Sequence, residues 1–223
     1  MLTLNVNSQK RERFRVLCLG AHSDDIEIGC GGTLLKLLSS KNNIEVRWVV
    51  YSGGANREGE ARRSAALFLK DARLYTVVTH EFRESFFPYC GEQIKEAFEK
   101  IKEQYSPDLI FTHFRDDRHQ DHHTIGELTW NTFRDHMILE YEIPKYDADL
   151  GSPNCHVHLK RATCDRKIRY LFECFKTQRN KQWFTAETFL ALHRLRGIES
   201  NAPGCYAESF HCRKLVLEAR SPK

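Results

Sequence analysis

Four short runs, RVLCLG (15–20), IEVRWVVYS (44–52), RLYTVV (73–78) and SPDLIFTH (106–113), are apolar nearly throughout, and stretches of helical period lie between them. Strands without polar alternation must be covered on both faces, which a parallel sheet wrapped by crossover helices achieves. The intervening segments GGTLLKLLSS (31–40), EGEARRSAALFLK (58–70) and EQIKEAFEKIKEQY (92–105) supply those helices. The pattern predicts an α/β, Rossmann-like fold: a mostly parallel sheet with helices on both faces. Its 223 residues suffice for one full core, so residues 1–223 are read as a single domain.

Past residue 140 the pattern loosens. YEIPKYDADLGSPNCHVHL (141–159) carries two prolines and a glycine and reads as an irregular loop at the site mouth, followed by a short strand. KIRYLFECFKTQ (167–178) and AETFLALHRLRG (186–197) read as two late helices, and YAESFHCRKLVL (206–217) as a tail with a strand in its second half. No apolar stretch reaches the ~20 residues of a membrane span and the N-terminus lacks signal-peptide features, so the expected location is cytoplasmic. Eight cysteines without a Cys-x-x-Cys pair read as free, mostly buried thiols. A formal charge of +4 from 34 basic and 30 acidic residues intermixed along the chain does not imply nucleic acid.

Two polar clusters directly follow predicted strands, and at the C-terminal strand ends of such a sheet they should meet. The first, GAHSDDIEIGCGG (20–32), sets two adjacent aspartates at a helix start. One aspartate suffices for capping, and two carboxylates would repel a phosphate. A divalent metal accounts for the pair: His22 and Asp25 join it from one turn, Asp24 stays free to handle a water, and a third ligand comes from elsewhere. The second cluster, HFRDDRHQDHH (113–123), holds four histidines and three aspartates in eleven residues. It runs into the apolar-periodic TIGELTWNTFRDH, so His119 and His122 lie near a helix start and can share one face.

These residues resemble the PIG-L/LmbE-like family of zinc-dependent N-acetylglucosaminyl de-N-acetylases. The resemblance rests on AHSDDIE (21–27) with GGTL (31–34), on REGE (57–60), on HQDH (119–122) and on YAESF (206–210), and so spans nearly the whole chain. It departs at Ser23, where the family usually has proline. The resemblance implies that His22, Asp25 and His122 bind zinc, one ion per chain, and that Asp24 is the general base. It also implies that His119 steadies the oxyanion or the departing amine, that Asp121 orients His119, and that Arg57 holds sugar hydroxyls with Glu84 as its candidate acidic companion.

The same chemistry follows from residue types. Amide hydrolysis needs an activated water, an oxyanion stabiliser and a proton for the leaving nitrogen. A three-ligand zinc site, Asp24 and an imidazolium at His119 supply all three, although His₂Asp also suits iron, manganese or cobalt. The expected partner is a small-molecule amino sugar, free or linked to a nucleotide or glycan, with no nucleic acid and no membrane insertion, and with room for a homo-oligomer. Two rivals remain: a two-metal phosphoesterase, and a non-catalytic metal-containing sugar-binding module, against which Asp24 and His119 weigh.

Other marked residues are assigned smaller parts. Tyr141, Glu142, Tyr146 and Asn154 are candidates to cover the substrate, in a loop that is as often structural. Lys160, Arg161, Arg166, Lys167 and Arg169 read as a solvated helix face before a phosphate site. Trp130 and Trp183 read as packing, His193 and His211 as structural, and Cys30 as core filler.

Overall fold

The computed structural model of the protein describes residues 13–40 and 43–216, without the side chains of residues 55 and 56. Five parallel strands form most of one sheet: β1 (Phe14–Gly20), β2 (Ile44–Val50), β3 (Leu74–Thr79), β4 (Leu109–His113) and β5 (Ile138–Tyr141). Two more, β6 (Cys155–His158) and β7 (Ala207–Cys212), complete it in the order β3-β2-β1-β4-β5-β7-β6. β7 runs antiparallel to both of its neighbours.

The helices are α1 (Asp25–Ser40), α2 (Gly54–Phe68), α3 (Gly91–Gln104), α4 (Gln120–Thr132), α5 (Arg161–Cys174) and α6 (Ala186–Glu199). β1 shows why its sequence does not alternate. Val16 and Cys18 join a core with residues of α1, α2, α5 and α6, while Leu17 and Leu19 join a second core with residues of α3 and α4. Both faces are therefore covered, as the apolar runs require.

The structure departs from the predicted elements at α1, β5, the last strand and α5, which spans Arg161–Cys174 rather than 167–178. α1 begins at Asp25, six residues before the predicted segment, because the Asp25 carboxylate accepts the His22 N–H at 2.6 Å and closes the turn. β5 went unpredicted: four residues are too few for a period, and only pairing with β4 and β7 makes them a strand. The last strand lies in the first half of its segment, where Phe210 pairs with Tyr141 and Cys155; residues 213–216 are irregular, and residue 217 falls outside the described residues.

Lys167 is not on a solvated face. It is 1% exposed, and its ammonium donates to the Ile28 carbonyl at 2.6 Å and to Glu208 at 2.6 Å, with His193 Nε2 at 3.1 Å. Glu208 in turn accepts the N–H groups of Gly32 at 2.8 Å and Thr33 at 2.6 Å. An ion pair between α5 and β7 thus grips the backbone of α1 just behind the turn that carries His22 and Asp25. His193 is buried here as a neutral partner, its pKa pushed down by burial and by the Lys167 charge. The eight cysteines are free, with Cys18, Cys30, Cys164 and Cys174 buried.

Removing one member of such a buried pair strands the other charge. Lys167→Met is expected to lower unfolding stability by about 3–5 kcal/mol in urea titration, and a loss below about 1 kcal/mol would show that the pair does not brace α1.

Candidate metal centre and active site

In the order β3-β2-β1-β4-β5 the chain direction across the sheet reverses between β1 and β4, the place where a crevice opens at the strand ends. The two clusters meet there. Gly20 ends β1 and leads into His22, Asp24 and Asp25; His113 ends β4, and the segment after it reaches α4 with His119, Asp121 and His122. The site is the direct product of topology.

Three donor groups converge. His22 Nδ1 lies 3.1 Å from His122 Nε2 and 3.5 Å from Asp25 Oδ2, and His122 Nε2 lies 3.4 Å from Asp25 Oδ1. The edges of a tetrahedron with ~2.0–2.2 Å metal bonds are ~3.3 Å, so this spacing fits one ion with an open position. The far nitrogens point the same way. His22 Nε2 is 3.0 Å from Asp121, and His122 Nδ1 is 3.0 Å from Asp117. A carboxylate behind each imidazole fixes the ring and raises its basicity toward a metal. His22, His119 and His122, and likewise Asp25, His113 and His122, also bring donor atoms together.

Asp121 therefore does not orient His119 through its carboxylate, as the sequence suggested. That carboxylate faces His22 and accepts the N–H groups of Ser85 at 2.6 Å and Phe87 at 3.2 Å. The link to His119 is instead from the Asp121 backbone, whose N–H donates to His119 Nδ1 at 3.2 Å, making His119 the cap of α4. The sequence reading also gives His119 an imidazolium role. Burial, followed by the charges of His122 and His22, holds the His119 pKa down. A ring that accepts at Nδ1 carries its proton on Nε2, where it can donate.

Two residues of the second cluster that had no role in the sequence reading, His113 and Asp117, support the donor set. His113 is fully buried behind Asp25, with Nε2 at 3.1 Å from Oδ2 and at 3.0 Å from the Ala21 nitrogen, and burial with the His122 charge brings its pKa to about 4. Asp117 supports His122 and is itself held by Lys145 at 3.0 Å and by the His119 N–H at 2.8 Å. Burial alone would raise the Asp117 pKa, but His122, His113 and Lys145 outweigh it and leave the group ionised. Nothing in their spacing distinguishes these two from their neighbours; only the fold does.

Asp24 stands apart. Its carboxylate has no hydrogen bond or ion pair among the described residues, and burial, then the Asp25 charge, lifts its pKa to about 6 against the pull of His22, Lys181 and Arg57. Arg57 and Glu84 are brought together at 2.5 Å across α2 and the segment after β3. Ser23 is fully buried, with a hydroxyl that has no hydrogen-bond partner among the described residues.

The candidate loop residues separate. Tyr141 is buried in β5 with its hydroxyl on the Leu19 carbonyl at 2.6 Å, and Glu142 is paired with Arg196. Asn154 is exposed but bonded through its side chain to the Cys212 backbone, so these three have structural partners, whereas Tyr146 is 69% exposed. Trp130 donates to Glu140, Trp183 packs on Phe184, and His211 stacks on Phe114.

The model of the PIG-L family, described as GlcNAc-PI de-N-acetylase, matches residues 17–133, which hold every residue of the cluster. This chain belongs to the PIG-L family. Among curated proteins it is similar to the uncharacterized deacetylase YaiS of Escherichia coli K12, with 29% identity over 148 residues, covering 61% of this chain and 78% of that one. In fold, this PIG-L protein is similar to the N,N'-diacetylchitobiose deacetylase of Pyrococcus horikoshii, with a TM-score of 0.69, 22% identity and coverage of 89% and 83%. It is equally similar to the conserved protein TT1542 of Thermus thermophilus, with a TM-score of 0.69, 19% identity and coverage of 92% and 96%. At these identities the structural matches speak to fold alone. Among the described residues, no helix is long and apolar enough to cross a membrane.

Without a metal, the Asp25 charge and the Asp121 hydrogen bond outweigh burial and raise the His22 pKa to about 10, and Asp25 and Asp117 raise that of His122. Ligating imidazoles must be neutral, so an ion has to displace those protons. Metal uptake near pH 7 is expected to release one to two protons, with affinity rising as pH rises. Calorimetry in buffers of different ionisation enthalpy reads this directly, and buffer-independent heats would contradict it. Asp117→Asn is expected to weaken the metal by about 10–100-fold, measured by competition with a chromogenic chelator.

Proposed function

We propose that this protein is a metal-dependent N-deacetylase that hydrolyses the acetamide of an N-acetylated amino sugar or its conjugate, releasing acetate and a free amine. The observation that carries this proposal is Asp24: a buried, uncommitted carboxylate beside a converging His-Asp-His donor set. A binding module has no use for an acid raised toward neutrality next to an open coordination position. His22, Asp25 and His122 would hold the ion, with zinc the expected metal and one ion per chain. When bound, such an ion polarises the amide carbonyl and acidifies water.

This chain's own residues supply the proton steps. Asp24, with its pKa near 6, takes a proton from the water as its oxygen bonds to the amide carbon. His119, fixed at the cap of α4 with its proton on Nε2, donates a hydrogen bond to the oxygen that gains negative charge. Asp24 then returns the proton to the nitrogen as the carbon–nitrogen bond breaks, leaving an amine and acetate. Arg57, which pairs with Glu84, would hold sugar hydroxyls, as the family resemblance implies. The amino-sugar substrate is what the family resemblance implies.

The phosphoesterase alternative needs two metals. Both alternative donor groups include His122, whose Nδ1 is already taken by Asp117, so they share one free nitrogen and suit one ion. Wild-type protein loaded with zinc is expected to release acetate from a panel of N-acetylamino sugars and their conjugates. Asp24→Asn should lower kcat by about 10²–10⁴-fold with metal content unchanged. Activity in the variant within a few fold of wild type would remove Asp24 from the mechanism.

A further inference from the structure

We propose that Lys145 is a positioning residue for the metal centre, coupling the order of the loop after β5, residues 142–151, to the pose of His122 and so to the affinity of the site for its ion. The proposal rests on the donor set of His22, Asp25 and His122 and is independent of which amide is cleaved. It begins with how that loop is fastened. One side chain grips both of its ends: the Arg196 guanidinium donates to the Glu142 carboxylate at 2.9 and 2.5 Å and to the Gly151 carbonyl at 3.0 Å.

Between those ends the loop turns back on itself. Ala148 occupies the left-handed region at φ 51°, a conformation that a residue with a side chain rarely adopts without being held there. The hold comes from Lys145, whose side chain is only 8% exposed. Its ammonium pairs with Asp149 inside the loop and with Asp117 outside it at 3.0 Å, and Asp147 lies 3.9 Å away. Asp149 also accepts the Arg118 N–H at 2.8 Å, so the loop is tied twice to the segment between β4 and α4.

Asp117 is where the loop meets the metal centre. One carboxylate oxygen takes Lys145 and the His119 N–H at 2.8 Å, and the other takes His122 Nδ1 at 3.0 Å. A carboxylate held on one oxygen by an ammonium has little freedom to swing, and the imidazole bonded to its other oxygen is fixed with it. An exposed pair of this kind would do little, because solvent competes for both charges. Here Lys145 and Asp117 are nearly buried, so removing the ammonium leaves a charged acceptor without its counter-charge. The coupling runs both ways: an ion that fixes His122 also fixes Asp117 and, through Lys145, the loop. His22 is tied elsewhere, since its supporting Asp121 is held by the backbone of Ser85 and Phe87.

The test measures zinc affinity of the full chain by competition with a chromogenic chelator, and amide hydrogen exchange of residues 143–150 with and without zinc. Lys145→Met is expected to weaken zinc by about three- to tenfold, and Lys145→Arg to restore most of the loss. In wild type zinc should slow exchange in the loop by about the same factor, as linkage requires, and in Lys145→Met it should leave exchange unchanged. Asp149→Asn keeps the Lys145–Asp117 pair and loosens the loop alone. It is expected to abolish most of the zinc-dependent protection, and it carries the test should Lys145→Met fail to fold. Zinc affinity in Lys145→Met within about twofold of wild type would overturn the coupling. So would loop exchange indifferent to zinc in wild type, or full zinc-dependent protection in Asp149→Asn. A wild-type chain that takes up no zinc would overturn the donor set itself, and the coupling with it.

Discussion

The structure depends on two imidazole nitrogens facing each other at 3.1 Å, His22 Nδ1 and His122 Nε2, a hundred residues apart in the chain. Neither ring could hold that pose unaided, because an imidazole rotates about two bonds and a buried ring nitrogen without a partner is costly. A carboxylate behind each ring settles both problems. Asp121 and Asp117 take the outward nitrogens and leave the inward ones free for an ion.

Each supporting carboxylate is itself anchored to a different surface segment. Asp121 gathers the backbone of Ser85 and Phe87, while Asp117 is held by Lys145, which also pairs with Asp149. The donor set is thus continuous with both walls of its own entrance. Each segment thus reaches a different histidine through its own carboxylate, Asp121 to His22 and Asp117 to His122.

Much of this was legible in the sequence. Unbroken apolar strands announced a sheet covered twice, and AHSDD and HQDH announced the meeting of two clusters. Arg57 and Glu84, 27 residues apart, did come together. What stayed hidden has a common physical character. His113 and Asp117 sat inside a cluster already noticed, yet their tasks depend on which way a side chain faces after folding. Lys167 looked like one more cation on a basic helix, and only the β7 carboxylate makes its burial tolerable. β5 is too short to show a period and exists because two neighbours pair with it.

Glu208 carries a further consequence for how the molecule comes into being. It binds the backbone of Gly32 and Thr33 from 176 and 175 residues away, so β7, near the end of the chain, secures the helix that opens the site. All the candidate ligands are synthesised within the first 122 residues, but the turn that aims His22 and Asp25 lacks its brace until some 85 more have followed. The helix that carries Asp25 is thus braced by a strand that contributes no candidate ligand at all.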